Sequence, residues 1–162
     1  MRALLKNLER IRGKSWSLCY EMEITIRTPV NLTEDKNRVL DALSYFWMTK
    51  NFEQMGEGNR TIFSLTTTNR KSLGSLRQAI HDYRIIDAVK KLLRNNWTGT
   101  MTMFVLDKQA AYAGKLKIID DTEYTPPLGG IEVIIKFETN HEYENFLNWF
   151  VPHTVKGEIV DN

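Results

Sequence analysis

A single cysteine, Cys19, among 162 residues excludes an intramolecular disulfide and points to a reducing cytoplasm. No apolar run approaches the roughly 18 residues of a membrane span. The N-terminal stretch MRALLKNLERIRGKSW holds only a three-residue apolar run, Ala3 to Leu5, far short of a signal-peptide core. Histidine is sparse, and His81, His141 and His153 are too scattered for a metal-binding spacing such as HExxH. No GxGxxG, GxxxxGK[ST] or GxSxG is present. Nothing here supports an enzyme, and neither a cofactor nor a metal is expected. Cys19 has no helix N-terminus nearby to activate it and reads as a packing residue. Asp120, Asp121 and Glu123 could in principle hold a divalent ion, but a solvated acidic loop is the preferred reading.

What is present is a core and an uneven charge. The apolar share of 42% suffices for one domain, which at this size buries about two-thirds of its unfolded surface. The net charge is +2, yet residues 70–117 carry 10 basic and 3 acidic side chains, whereas residues 118–162 carry 2 basic and 9 acidic. Such a split marks a polyanion partner. The competing reading is that the two blocks neutralise one another within the fold or across a dimer.

Period-two alternation over Glu21 to Thr28, with Met22, Ile24 and Ile26 on one side, predicts a half-buried strand ended by Pro29. Thr33 is then a helix cap, with Val39, Leu40, Leu43, Phe46 and Trp47 at helical spacing. Asn51 to Asn59 reads as a loop and Arg60 to Thr67 as a strand. The stripes Leu73, Leu76, Ile80, Tyr83 and Ile85, Val89, Leu92, Leu93 predict one bent helix or two short ones breaking near Asp82, with Ser72 as cap. Thr100 to Leu106, Lys115 to Ile119 and Ile131 to Phe137 read as further strands, and Asn140 caps a last helix ending before Pro152. Alternating strands argue against a parallel sheet covered on both faces. The expected fold is α+β: an open, mostly antiparallel sheet of about five strands with helices packed mainly on one face.

The segment DKQAAYAG, residues 107–114, reads as a short helix: Asp107 caps, the alanines favour helix, and Gly114 suits a left-handed end. Lys108 and Tyr112 fall on one side of it. Two readings stand open there, a packed corner or a Lys/Tyr contact with a ligand or RNA. The candidate RNA-binding residues are Arg77, Arg84, Lys90, Lys91, Arg94, Lys108, Tyr112, Lys115 and Lys117. Basic side chains beside aromatics such as Tyr112 and Trp97 are what phosphate contact and base stacking require.

The segments PVNLTEDKNRVLDAL (29–43), LRQAIHDYRIIDAVKKLL (76–93), LDKQAAYAGKLK (106–117), PPLGGIEVII (126–135) and NWFVPHTVKGEIVD (148–161) occur in order. Together they resemble an archaeal family of uncharacterised proteins described as predicted RNA-binding proteins or exosome subunits. The likeness spans residues 20–161 and leaves 1–18 as a basic extension of one domain covering 1–162. Gly130 stands where the family pattern would carry a proline. The resemblance implies a fold like the large-subunit ribosomal protein that binds 5S rRNA. It further implies a cytoplasmic, non-catalytic module with structured RNA as candidate partner, inside a larger RNA-processing complex. The alternative is a homodimeric scaffold with no nucleic-acid role, using the outward Ile134.

Overall fold

The computed structural model of the protein describes residues 22–120, 126, 128–156 and 158–160. Cys19, the 1–18 extension, Asp121 and Glu123 lie outside the described residues.

Strand β1 (Glu23–Val30) alternates as expected, with Ile24, Ile26, Thr28 and Val30 buried. It runs through Pro29 rather than stopping there. Its ladder with β6 (Gly130–Lys136) ends at Arg27↔Glu132, so Pro29 pairs only with β3 (Arg60–Thr67), a strand position with one neighbour, where a missing donor is tolerated. Helix α1 (Lys36–Trp47) starts two residues later than Thr33 would place it. Asp35 is the cap, its Oδ1 accepting from the Asn37 N–H at 2.8 Å.

The expected loop before β3 is partly a strand, β2 (Glu53–Glu57), which forms a hairpin with β3. Glu57 pairs with Arg60, and the two intervening residues are Gly58, at φ +60, and Asn59. Gly-Asn is a hairpin dipeptide, so the signal was in the sequence. Among the described residues the main sheet has six strands, ordered β2-β3-β1-β6-β4-β5, with β4 at Met101–Asp107 and β5 shortened to Ile118–Ile119. Every pairing in it is antiparallel. A two-residue pair, β7 (Thr154–Val155) with β8 (Glu158–Ile159), lies apart from it.

The inward residues stand in register across the centre of the sheet: Ile24 meets Ile135, Ile26 meets Val133, Phe104 meets Val133, and Leu106 meets Ile131. All are fully or almost fully buried under the helices, together with Leu43, Phe46, Leu76, Phe146 and Phe150. The opposite face, carrying Thr25, Met103, Val105 and Ile134, is only half-buried. Ile134 lies there opposite Met103. This is the expected α+β architecture, with helices on one face. Residue 130 is a glycine for a steric reason. A Cβ there would come within 2.3 Å of the Val105 Cγ1 and 3.1 Å of the Leu106 carbonyl.

The two apolar stripes are separate helices, α2 (Gly74–Asp82) and α3 (Ile86–Asn95), preceded by a 3-10 turn at Arg70–Leu73 that Asn69 caps. The expected helix cap Ser72 lies inside that turn, and α2 starts after Leu73 with no side-chain cap. The break is a Schellman motif: the Ile85 N–H reaches the Ile80 carbonyl and the Arg84 N–H the His81 carbonyl. Arg84 occupies its left-handed position, at φ 56, where glycine is usual. The left-handed cost outweighs the extra chain entropy of glycine, so Arg84→Gly is expected to raise stability by roughly 0.5–1 kcal/mol. Urea unfolding with an unchanged m-value checks this. The last helix, α5 (Asn140–Phe150), is capped by Thr139 rather than Asn140. Its hydroxyl accepts from the Glu142 N–H at 3.2 Å, in a Thr-x-x-Glu spacing that a capping box prefers.

Candidate nucleic-acid interface

Helix α4 (Lys108–Tyr112) is the short helix predicted from DKQAAYAG, with Asp107 capping the Ala110 N–H and Gly114 left-handed at φ +67. Lys108, however, points inward. Thr102, Phe104 and Leu106 alternate into the core along β4, and the same parity carries Lys108 to 0% exposure. Its ammonium donates to the Glu34 carboxylate at 3.0 and 3.3 Å, to the Leu128 carbonyl at 2.8 Å and to the Pro29 carbonyl. Glu34 also accepts from the Tyr112 hydroxyl at 3.0 Å and from the Asn31 backbone and side-chain N–H groups at 2.9 and 3.0 Å. Burial alone would raise the Glu34 pKa, but the Asn31 hydrogen bonds and the ammonium outweigh it and hold the carboxyl below its usual range. Burial depresses Lys108, partly offset by Glu34. Burial and the Glu34 charge push the Tyr112 phenol far upward. The knot ties the β1–α1 loop and the Leu128 loop to α4. Lys108 therefore cannot present its charge to a phosphate in this structure, and of the two readings of DKQAAYAG its lysine takes the packed corner.

The other candidates are distributed as follows. The Arg77 Nε donates to the Trp149 carbonyl at 2.7 Å, and the His81 ring contacts the Phe150 carbonyl at 3.0 Å. Both satisfy carbonyls at the C-terminus of α5, where cationic side chains are favoured. Arg94 forms a two-pronged ion pair with Glu144, at 3.2 Å for each bond. Lys117 lies 3.7 Å from Asp107. Arg84, Lys91 and Lys115 are exposed and Lys90 half-exposed, and none of the four has an ion-pair partner among the described residues. The other aromatic named from sequence, Trp97, stacks on Tyr143 with ring centroids 3.8 Å apart, so one face of it is not available to a base.

Two further exposed cations of the same basic segment were not singled out from sequence. Arg70 and Lys71, in the 3-10 turn, are exposed. The Arg70 guanidinium lies 5.0 Å and that of Arg77 5.4 Å from the Trp149 ring centroid, a cation–π cluster. Its members are remote in sequence, and no local spacing announces them. Among the described residues the acidic third of the chain neutralises little of the basic segment. Of the ten cations in residues 70–117, only Arg94 makes an ion pair with an acid beyond residue 117 among the described residues.

Among the described residues no group of three or more His, Cys, Asp or Glu side chains is placed to hold a metal ion. Nor is any helix among them long and apolar enough to cross a membrane.

A family model described as RNA binding matches residues 23–137. A UPF0201 protein of Sulfurisphaera tokodaii is 33% identical over 135 residues, covering 83% of this chain and 90% of the relative. A UPF0201 protein of Metallosphaera sedula is 29% identical, covering 86% and 94%. The crystal structure of a UPF0201 protein from Methanococcus jannaschii superposes with a TM-score of 0.69 at 26% identity, covering 86% of this chain and 99% of that one. The crystal structure of an uncharacterised UPF0201 protein, at 22% identity and a TM-score of 0.65, shares the fold.

Proposed function

The chain belongs to this family, whose model is described as RNA binding, and from that premise we propose that it is a non-catalytic module that holds structured RNA by its phosphates. One observation carries the reading: much of the basic segment is not consumed inside the fold. Arg70, Lys71, Arg84, Lys91 and Lys115 are exposed without an acidic partner among the described residues. They sit on or beside the 3-10 turn, α2, α3 and α4. Side chains so placed suit the electrostatic, shape-led recognition of an RNA backbone. Arg94, Lys108 and Lys117 are spent on ion pairs with Glu144, Glu34 and Asp107 and are assigned no phosphate.

The test is competition between labelled structured RNA and unlabelled DNA duplex of the same length, at about 100 mM salt. A large excess of duplex is expected to leave most of the RNA bound. Equal displacement by DNA and RNA, or no binding of either, would sink the reading.

A further inference from the structure

Between α1 and α4 lies an open cleft of about 200 Å³, lined by Tyr45, Tyr112, Gly114, Arg38 and Asp41. We infer that this cleft is a subsite for one unpaired nucleobase of the bound RNA, an assignment that rests on the RNA-binding reading.

Both aromatic rings are fixed before any ligand arrives. The Tyr112 hydroxyl is anchored on Glu34 at 3.0 Å, so the ring cannot swing away from the cleft. Tyr45 packs edge-on against Phe46, with centroids 5.0 Å apart and planes at 88°, and lies over Gly114. A Cβ on Gly114 would stand 3.2 Å from the Tyr45 ring, so the glycine lets the ring lie close to the chain. Tyr45 nevertheless keeps 57% of its surface exposed. The aromatic face offers sequence-tolerant stacking, and unstacked bases in loops and bulges are what proteins read in RNA.

Two charged residues of the lining supply hydrogen-bonding edges. The Arg38 guanidinium, 5.8 Å from the Tyr112 ring centroid, offers donors for a base carbonyl or ring nitrogen. The Asp41 carboxylate, which already accepts from Lys50, can also accept from an exocyclic amine. Lys115 follows Gly114 directly and is exposed without an ion-pair partner among the described residues, within reach of the phosphate that such a base would carry. Stacking, edge recognition and a phosphate contact thus converge on one cleft.

The experiment is photo-crosslinking of the full chain to a hairpin RNA with 4-thiouridine in its loop, with peptide mapping. It is paired with affinity measurements on Tyr45→Ala over a range of salt. Adducts within residues 38–45 or 111–115, with affinity about tenfold weaker in Tyr45→Ala at an unchanged salt slope, are expected. A lost neutral stacking partner lowers affinity without altering counterion release, whereas a lost phosphate contact flattens the slope. Adducts confined to other segments, with Tyr45→Ala binding like the wild type, overturn the base site and leave the RNA-binding reading standing. No adduct and no retained RNA overturn both. Equal labelling of the same residues by free 4-thiouridine monophosphate would make the cleft a free-nucleotide pocket and overturn its assignment to RNA.

Discussion

Lys108→Met is expected to lower the unfolding free energy by about 3–5 kcal/mol, the cost of breaking a buried ion pair from one side. The substitution leaves Glu34 charged at a site where its side chain is 4% exposed. It also takes the donor from the Pro29 and Leu128 carbonyls. Glu34→Gln combined with Lys108→Met is expected to be more stable than the sum of the single losses, because the stranded charge is gone; a coupling of about 0.5–3 kcal/mol is typical of contacting residues. Urea unfolding of the three variants supplies the cycle. A Lys108→Met protein within about 1 kcal/mol of the wild type would mean that the ammonium does not hold the corner together.

The same pair predicts a pH dependence. Glu34 titrates below its ordinary value of 4.5 in the folded state. The folded state thus holds that proton less tightly than the unfolded chain does. Its contribution is fully present above the unfolded value and is lost as pH falls through the folded one. The stability gap between wild type and Glu34→Gln should therefore be wide at neutral pH and close in acid below about 4.5. A gap independent of pH would place the effect in packing rather than charge.

Reversing Arg84, Lys90 and Lys91 together to Glu is the second large effect. These cations lie at the α2–α3 junction and along α3 without ion-pair partners among the described residues. RNA affinity should fall at least about tenfold at about 100 mM salt, and the log–log salt slope should become shallower by about two to three units. Folding should be little changed, since surface substitutions away from such contacts usually act within about 0.5 kcal/mol. Unchanged affinity would remove this helix pair from the interface.

The sheet was legible because its strands are buried on one side only. Ile24/Ile26 and Val133/Ile135 announce their inward face by alternation, and that pattern sets their register. Short edge elements were not legible. β2 was hidden by Gly56 and Gly58, although Gly58-Asn59 is itself a hairpin turn, and β5 kept only two of its five expected residues. Caps were misplaced by one or two residues wherever several polar residues compete, as at Thr33 to Asp35. The site was legible as charge and not as geometry. Lys108 looked like a surface cation by residue type. The parity of Thr102, Phe104 and Leu106 already sent it inward, and only the fold brings Glu34 to meet it. Trp149 with Arg70, and Tyr45 with Tyr112, are likewise pairs that only tertiary packing creates.

The central claim is that the cations of residues 70–117 without an acidic partner among the described residues, Arg70, Lys71, Arg84, Lys91 and Lys115, face outward to contact phosphate. The most direct test is the salt dependence of RNA binding by the wild-type chain, followed by fluorescence anisotropy from about 50 to 300 mM salt. A log–log slope of about three units or more is predicted, the signature of several phosphates neutralised at once. A flat dependence would contradict the account, because affinity without counterion release cannot come from these side chains.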